Sequence, residues 1–520
     1  MVNDNNNKNY SSSKELPTSN SPYWLDSTDY KSFDKLNEDI DVDVVIVGGG
    51  ITGITTAFLL SKEGQKTAII EADKILHGTT AHTTAKVTAQ HDLIYDELIQ
   101  HMGKEIAQLY YNANTEALSF IRKTIKEKKI ECDFSEQDAY IYTNSDQYVS
   151  KLQTEFEAYQ TLGINGDLLE KLPIENLPVK AALVMKNQAQ FHPLKYLYHL
   201  TDDYIKQGGV IYENTVAVDI EEGARPTVIT REGNKIKANY VVIASHFPFY
   251  GIRGLYFSRM YAERAYVLGV KTNKEYTEGM YINAENPTRS LRYTKNNGEK
   301  LVLVIGESHK TGQSNNEMKH YNALQDFGEK TFGINEANYR WSTQDLTTLD
   351  KVPYVGYLTA NQNNILVATG YRKWGMTNST AAALLMTDLI FKRENPYQEL
   401  YSPSRFYMDP SLRKFISINM DVAKHLISGK LESPKKAPED LDKDEGGVVS
   451  INGKRAGAYR DNHGKLYIVD TTCTHLGCEL NWNSGERTWD CPCHGSRFSY
   501  TGEVVEGPAE KSLDRITENH

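Results

Sequence analysis

Two short cysteine–histidine motifs near the C-terminal end constrain this chain more than any other part of its sequence. The motifs are Cys473-Thr-His475-Leu-Gly-Cys478 and Cys491-Pro-Cys493-His494. Each offers one thiolate and one imidazole, which together form the ligand set of a [2Fe–2S] centre with two cysteines on one iron and two histidines on the other. A single zinc ion accepts the same atoms, so the ligands alone leave both metals open. Each half also carries a second cysteine, Cys478 or Cys493, that a four-ligand site does not use.

This segment resembles the Rieske family in its disulfide-containing form. The resemblance implies a role for each of the six side chains: Cys473 and Cys491 on one iron, His475 and His494 on the other, and Cys478 and Cys493 joined as a disulfide. It also assigns Gly507-Pro508-Ala509 to the proline loop over the cluster, and Ser496 to the serine that hydrogen-bonds a cluster sulfur. Phe498 stands where respiratory members carry a second donor, a tyrosine. With one donor fewer, we expect a potential below the top of the Rieske range of roughly −150 to +300 mV.

A glycine-rich turn near the N-terminal end is the second strong signal. In chain order the segment comprises an apolar run over 41–47, Gly48-Gly-Gly50-Ile-Thr-Gly53, a helical pattern over 54–62, an apolar strand over 67–70, and Glu71. This order is typical of a dinucleotide-binding βαβ unit. Gly48 permits the tight turn, Gly50 lets the backbone approach a pyrophosphate, and Gly53 lets the helix pack on the strand. Glu71 is positioned to hydrogen-bond a ribose hydroxyl. The unit alone leaves FAD and NAD both open.

Downstream segments favour FAD. Gly78-Thr79-Thr80 supplies small and hydroxyl residues suited to a pyrophosphate, the segment ending in Val216 predicts a strand that returns to the nucleotide domain, and 236–245 predicts a further buried strand. A late strand ends at Gly370 and leads into a helix over 379–391. Because a helix N-terminus stabilises negative charge, this region suits an isoalloxazine ring whose C2 carbonyl gains charge on reduction. The cofactor residues predicted there are Gly370, Lys373, Trp374, Met376 and Thr377.

Together these segments resemble the FAD-dependent oxidoreductases of the D-amino-acid oxidase type, over roughly residues 40–395. The whole chain resembles a bacterial group that fuses such a flavoprotein to a C-terminal Rieske domain. The resemblance implies a Rossmann-like α/β FAD-binding domain, an α+β substrate domain and an all-β Rieske domain. The predicted boundaries are a disordered tail over 1–20, the oxidoreductase over 21–395, a helical connector and linker over 396–438, and the Rieske domain over 439–520. Within the oxidoreductase, FAD-binding segments are expected at about 40–90, 205–250 and 340–395, and the substrate domain at about 91–204 and 251–339.

Composition excludes some classes of function. The net charge of −10 provides no basic surface for nucleic acid. No run of eighteen apolar residues is present and the N-terminus lacks the pattern of a secretory signal. We therefore expect no transmembrane segment and a cytoplasmic protein, with peripheral association with a membrane left open. The remaining cysteine, Cys132, is interpreted as a packed residue.

The sequence offers few candidate catalytic residues. Hydride transfer to a flavin requires from the protein mainly the orientation of the reactants and charge near the ring. Lys373, His309 and Arg264 are the candidate catalytic residues. Arg264, Arg289 and Arg292 are candidates for a substrate carboxylate, which guanidinium binds bidentately. His82 and Lys86 follow the pyrophosphate segment and are expected to approach the flavin.

The family resemblance implies oxidation of amines, amino acids or secondary alcohols. We therefore predict a dehydrogenase that oxidises a small amine, amino acid or related hydroxy compound by hydride transfer to FAD. Its electrons would pass to the Rieske cluster and on to a one-electron acceptor, either a protein or a quinone. The alternative is an electron-transfer adaptor without a small substrate, in which another protein reduces the FAD.

Overall fold

The structure is a computed structural model that describes residues 15–296, 298–431, 434 and 436–516. Its α-helices are α1 (Tyr23–Asp26), α2 (Ile51–Lys62), α3 (Tyr95–Met102), α4 (Lys104–Lys128), α5 (Asp146–Leu162), α6 (Pro193–Lys206), α7 (Tyr256–Arg259), α8 (Met318–Phe332), α9 (Gly375–Ile390), α10 (Gln398–Tyr401) and α11 (Met408–Leu431), with 3₁₀ turns at Gly251–Gly254 and Pro438–Asp440. Its strands are β1 (Ile40–Asp41), β2 (Val44–Val47), β3 (Thr67–Ile70), β4 (Lys86–Val87), β5 (Ser135–Thr143), β6 (Gly166–Leu169), β7 (Ala181–Gln190), β8 (Val210–Tyr212), β9 (Ala217–Glu221), β10 (Thr227–Thr230), β11 (Lys235–Lys237), β12 (Tyr240–Ile243), β13 (Met260–Thr272), β14 (Met280–Asn283), β15 (Arg289–Asn296), β16 (Glu299–Lys310), β17 (Ile334–Thr348), β18 (Tyr354–Tyr357), β19 (Ile365–Thr369), β20 (Glu445–Ile451), β21 (Lys454–Arg460), β22 (Leu466–Val469), β23 (Asn481–Asn483), β24 (Thr488–Asp490), β25 (Arg497–Ser499) and β26 (Val504–Glu506).

A six-stranded sheet forms the nucleotide-binding half, in the order β18-β19-β12-β2-β3-β8. Its central strands are parallel, and β18 is antiparallel to β19. Strand β2 is buried on both faces: Val44 and Ile46 pack into the core that includes helices α2, α6 and α9, and Val45 and Val47 into the core that includes the small sheet β1-β11-β10-β9. Burial on both faces explains the uninterrupted apolar run in its sequence.

The single strand predicted over 236–245 is two strands in different sheets. Strand β11 belongs to the small sheet and β12 to the six-stranded sheet. The backbone amides of Asn239 and Tyr240, at the junction, both donate to the carbonyl oxygen of Asp43. The sequence of this segment does not by itself show that the chain changes sheet, so the prediction of a single strand was wrong.

The second half is built on a nine-stranded sheet in the order β17-β13-β16-β15-β14-β5-β7-β4, with β6 paired to β7. The long strands β13 and β17 pair antiparallel over nearly their whole length, and β17 lies at the sheet edge. Helix α8 packs on β13 and β16, and helix α5 on β5 and β7. The sheet is antiparallel except for the parallel pair of β14 and β5, and the expected α+β domain is confirmed.

The C-terminal module contains two small antiparallel sheets, β20-β21-β22 and β23-β24-β25-β26. Helix α11 leads into it, and Val422 and Leu426 on that helix pack against the core of the module. The all-β prediction is confirmed. No helix in the described ranges is both long and apolar enough to cross a membrane.

The predicted disordered tail overlaps the described residues only in part. Residues 1–14 lie outside them. Further along, the carbonyl oxygen of Thr18 accepts from Arg340, and the side-chain amide of Asn20 donates to the carbonyl oxygen of Gly485 at 2.7 Å. The end of that segment therefore contacts both the oxidoreductase body and the C-terminal module.

Candidate active site and iron–sulfur centre

A cavity of about 1400 Å³ lies between the six-stranded sheet, the nine-stranded sheet and the C-terminal module. Most of the residues predicted to contact the cofactor line it: Gly48, Gly50, Glu71, Gly78, Thr79, Thr80, Val216, Lys373, Trp374 and Met376. The motifs that suggested a nucleotide therefore converge on one space, although more than three hundred residues separate the first from the last.

The glycine turn after β2 has no room for side chains. Gly48 has φ of +112°, and a Cβ there would lie 2.5 Å from the carbonyl oxygen of Ala244. A Cβ on Gly53 would lie 1.9 Å from the carbonyl oxygen of Gly48. Gly53 does not line the cavity; it lets α2 approach the turn, as predicted. The turn therefore presents bare backbone and the N-terminus of α2 toward the cavity, which is the arrangement that binds a pyrophosphate.

Glu71 lies at the carboxyl end of β3, where its side chain holds the glycine turn in place. Its carboxylate accepts from the backbone amides of Gly49 at 2.7 Å and of Asp73 at 3.1 Å. Burial raises the pKa of Glu71, and these hydrogen bonds oppose the shift. Nearby, the hydroxyl of Thr80 accepts from the amide of Ile51 at 3.1 Å and so fixes the pyrophosphate segment against the first turn of α2.

Two other predicted cofactor residues lie behind the cavity wall. Gly370 has φ of +83°, and a Cβ there would lie 2.4 Å from the side chain of Thr348. Thr377 is buried, and its hydroxyl donates to the carbonyl oxygen of Thr88 at 3.0 Å. Both support the loop that carries Lys373 and do not line the cavity themselves.

The three candidate catalytic residues have different surroundings. Lys373 lines the cavity; its ammonium donates to Ser308 at 2.7 Å and lies 3.8 Å from Glu263. His309 is not among the lining residues; its ring forms a cluster of three mutually stacked rings with Tyr266 and His320. The structure therefore does not bring this candidate to the cavity, and the sequence alone could not show which way the end of β16 would face.

Arg264 lines the cavity but faces acids of the C-terminal module. Its side chain is 2% exposed and lies 3.8 Å from both Glu486 and Glu506. The geometry therefore makes it an ion-pair partner across the interface between body and module, and its Nε and Nη1 atoms have no hydrogen-bond partner among the described residues. Two further arginine candidates also have internal partners: Arg289 binds Glu307, and Arg292 donates to the carbonyl oxygens of Thr84 and Ala85.

His82 and Lys86 both line the cavity, as expected. The carbonyl oxygen of His82 accepts from the indole of Trp341 at 2.9 Å. Lys86 donates to the hydroxyl of Ser290 at 2.7 Å. The segment after the pyrophosphate loop therefore forms part of the cavity wall, as does the late loop that carries Lys373.

Sequence reasoning missed an acidic pair on the cavity wall. Glu263 on β13 lies directly opposite Asp345 on β17, and both line the cavity. The pattern that could have identified Asp345 is the alternation of side chains along a strand. Every second residue faces the same side, and Thr343, Asp345 and Thr347 all line the cavity. This alternation could be used only once the pairing of strands β13 and β17 in one sheet was known.

In the C-terminal module the two cysteine–histidine motifs come together on adjacent loops. The thiol of Cys491 hydrogen-bonds that of Cys473 and lowers its pKa to about 7. The imidazole rings of His475 and His494 lie 5.1 Å apart and perpendicular, and burial lowers the pKa of each to about 4. Neutral imidazole and thiolate are the forms that bind metal.

A disulfide joins Cys478 to Cys493, which confirms the predicted pairing. The sulfurs of these two cysteines and of Cys491 lie within 4.8 Å of one another, but two of the three are already bonded. Cys473 and Cys491 are therefore the free thiols of the module. Ser496, behind them, hydrogen-bonds Cys473 and accepts from the amide of Ala509 at 3.0 Å.

The residues fit both implied cofactors. The Nδ1 atoms of His475 and His494 are buried and have no hydrogen-bond partner among the described residues. Two unpartnered imidazole nitrogens beside two free thiols are the donor set of a Rieske [2Fe–2S] cluster. The cavity, in turn, joins a side-chain-free glycine turn to a late loop at the N-terminus of α9, which suits FAD.

The module packs directly on strands β13 and β17. The side-chain amide of Gln344 donates to the carbonyl oxygen of Gly495 at 2.9 Å, whereas Thr343 and Asp345 on either side line the cavity. On β13, Ala262 lies so close to Gly495 that a Cβ on the glycine would be 2.4 Å away. The loop that carries His494 is therefore separated from the cavity by the thickness of this one sheet.

The histidine edge of the module also faces the body. The ring of Phe257, in α7, lies 5.5 Å from the ring of His475 and 5.5 Å from that of His494, nearly perpendicular to each. At the other end of the interface, Asn481 donates to the carbonyl oxygen of Gly312 at 2.8 Å. Residues of the proline loop, Gly507, Pro508 and Ala509, complete the cavity wall.

Comparisons with known proteins agree with this architecture. Residues 43–389 match the family described as FAD dependent oxidoreductase, and residues 433–517 match the Rieske [2Fe-2S] domain. The chain is 56% identical, over 97% of its length and 98% of the relative's, to the putative Rieske 2Fe-2S iron-sulfur protein YhfW of Bacillus subtilis (strain 168). It is 24% identical to gamma-glutamylputrescine oxidoreductase of Escherichia coli (strain K12), over 71% of this chain and 88% of that protein. Among solved structures, glycine oxidase from Geobacillus kaustophilus superposes with a TM-score of 0.60 at 18% identity, covering 70% of this chain and 99% of the other.

The chain belongs to the FAD-dependent oxidoreductase family of the D-amino-acid oxidase type, and it carries a C-terminal Rieske domain. It is an oxidoreductase whose cofactors are FAD and a [2Fe–2S] cluster.

Proposed function

We propose that this protein is a dehydrogenase that oxidises a small amine, amino acid or related hydroxy compound at FAD. Its electrons then pass within the same chain to the Rieske cluster and onward to a one-electron acceptor, a protein or a quinone. Family membership supports the amine or amino-acid class. The contact between the cavity sheet and the module supports the electron route.

The observation that carries the proposal is the position of Gln344 between two residues of the cavity wall. Its neighbours Thr343 and Asp345 face the cavity, and its own amide binds Gly495, the residue after His494. Since a layer packed face to face on a sheet lies only about 10 Å from it, a flavin in the cavity on one side of the sheet and a cluster in the module on the other would lie close together. This arrangement supports transfer within one chain by a docked module.

The proposed cofactor contacts are those of the predicted motifs. Backbone at Gly48 and Gly50, with Thr79 and Thr80, would hold the pyrophosphate, and Glu71 would bind the ribose. Lys373 and the N-terminus of α9 would offset negative charge on the reduced ring. FAD supplies the two-electron oxidant, and the cluster accepts electrons singly. For the cluster we propose Cys473, His475, Cys491 and His494 as ligands.

The test is an anaerobic screen of amines, amino acids and hydroxy acids on the purified holoprotein. Bleaching of the flavin is followed by absorbance and reduction of the cluster by its rhombic EPR signal. The proposal predicts that one compound bleaches the flavin and that the EPR signal then grows. If no compound does so, and a reduced protein carrier fills both centres, the electron-transfer adaptor replaces the dehydrogenase.

A further inference from the structure

Lys86 is a lysine on the cavity wall that takes no part in the proposed cofactor contacts. Its ammonium nitrogen has one hydrogen-bond partner among the described residues, the hydroxyl of Ser290 at 2.7 Å. Within the same ranges no carboxylate lies at ion-pair distance from it. A lysine without a counter-ion on the wall of an internal cavity is unusual, because desolvation penalises its charged form.

The backbone before Lys86 is held in a strained conformation. Ala85 has φ of +54°, which is the left-handed region that alanine rarely adopts. Buried Arg292 donates to the carbonyl oxygens of Thr84 at 2.8 Å and Ala85 at 2.7 Å. Strain of this kind persists only where surrounding contacts enforce it, and it concentrates at functional sites. Arg292 therefore clamps the segment that directs Lys86 to the cavity.

The groups around Lys86 disfavour its charge. The neighbouring elements contribute uncharged Gln190, opposite it on β7, uncharged Ser290 on β15, and the cation Arg292. Burial, and then the charge of Arg292, lower the pKa of Lys86 to about 7. Lys373, which also lines the cavity, differs from Lys86 because it has the carboxylate of Glu263 as a neighbour at 3.8 Å. Of the two lysines, Lys86 is therefore the one whose surroundings favour the neutral amine over the charged ammonium.

We propose that Lys86 is the catalytic proton acceptor for an amine substrate, which arrives in its ammonium form. This inference rests on the proposed function. The N–H bond of the substrate ammonium breaks, its proton moves to Nζ of Lys86, and the electron pair of that bond stays on the substrate nitrogen. That pair then forms the C=N bond as hydrogen leaves Cα with two electrons for FAD, the oxidant of the family. The products are an iminium ion and a lysine ammonium, whose proton returns to solvent.

The first measurement requires no substrate. Holoprotein labelled with ¹³C at lysine Cε is titrated by NMR, and Lys86→Met identifies the signal of Lys86. The proposal predicts a signal that titrates near pH 7 and is missing from the variant. If the signal of Lys86 titrates above about pH 9, as an ordinary lysine does, the proposal is overturned.

The second measurement is the pH profile of flavin bleaching by an amine under anaerobic conditions. In the native protein the rate should fall below about pH 7 and level off above it. In Lys86→Met only the free amine reacts, so the rate should rise about tenfold per pH unit up to the amine's own pKa near 10. Lys86→Arg should behave like Lys86→Met, because guanidinium stays protonated. Lys62→Met, on the exposed end of α2, is the control and should keep the native profile.

A uniform loss of rate with an unchanged profile would assign Lys86 a purely structural role and overturn the proposal. If no amine bleaches the flavin, the proposed function fails and the proton-acceptor role fails with it. The NMR titration distinguishes that outcome from an error in the assignment of Lys86, because it reports the protonation of the lysine without any substrate.

Discussion

The side-chain amide of Gln344 donates to the carbonyl oxygen of Gly495 at 2.9 Å and joins the edge strand of the cavity sheet to the loop of the cluster. Replacing Gln344 by alanine leaves that buried carbonyl without its donor, at a cost of about 1–3 kcal/mol. We predict that Q344A raises the hydrogen-exchange rate of residues 491–496 roughly 5- to 150-fold, measured by mass spectrometry. Q362A, whose amide binds Glu222 at the surface, should leave these rates unchanged. Equal protection in Q344A and the native protein would contradict the docked arrangement.

Ser496 should tune the potential of the cluster. Its hydroxyl hydrogen-bonds Cys473, and a donor to a ligand sulfur stabilises the reduced state. S496A should therefore lower the reduction potential by about 60 mV if the bond contributes about 1.4 kcal/mol. The measurement is a redox titration followed by EPR. The matched control is S499A, at the end of the adjoining strand β25, where the hydroxyl bonds Thr501. An unchanged potential in S496A would show that the donor does not act on the cluster.

Glu317 should make the stability of the interface depend on pH. It is buried against the module, where its carboxylate accepts from the amide of Ser484 at 3.1 Å, and burial raises its pKa to about 7. The native state binds this proton more tightly than the unfolded chain does, so stability is highest below the unfolded pKa and falls as pH rises from about 4.5 to 7. The loss amounts to about 1–3 kcal/mol.

The variant E317Q removes that titration. Its melting temperature should vary less between pH 5 and pH 8 than that of the native protein, and it should melt higher at the upper end. The exposed acid Glu127 on α4 provides the control: E127Q should keep the native dependence. Parallel pH curves for native protein and E317Q would exclude Glu317 as the responsible group.

The disulfide should stabilise the module chiefly by restricting its unfolded state. Cys478 and Cys493 are 15 residues apart in sequence, and closing a loop of about that length contributes about 3 kcal/mol. C478A/C493A should lower the melting temperature of the module by at least about 10 °C, measured by calorimetry. C132A, in the core of the oxidoreductase body, should leave that transition in place. The same melting temperature with and without the disulfide would contradict the prediction.

The sequence predicted the elements that depend on local chemistry. Gly48 and Gly53 cannot be replaced because neighbouring backbone occupies the space of a Cβ, and that requirement is visible as a spaced motif. The cysteine–histidine motifs are equally local, since each pair comes from one short loop. The helices and strands around them followed from apolar periodicity, with errors of a few residues at the ends, where α9, for example, begins at Gly375.

Contacts between distant segments could not be predicted in this way. Nothing about Gln344 indicates that it binds Gly495, and nothing about Phe257 indicates that it lies against two imidazoles. Arg264 was a candidate substrate ligand, and its two acidic partners could not be foreseen because they are more than two hundred residues away in sequence. The surroundings of His309 could not be predicted for a similar reason: its neighbour His320 belongs to another element. Pairing of β13 with β17 was needed before either face of the cavity wall could be assigned.

The most direct test of the central claim is whether cluster reduction occurs within one chain. Holoprotein is mixed anaerobically with a substrate that bleaches the flavin, and the EPR signal of the cluster is followed by freeze-quench at several protein concentrations. Transfer within one chain predicts a rate constant for growth of the signal that does not change with protein concentration. A rate proportional to protein concentration, or a flavin that stays reduced while the cluster remains oxidised, would contradict it.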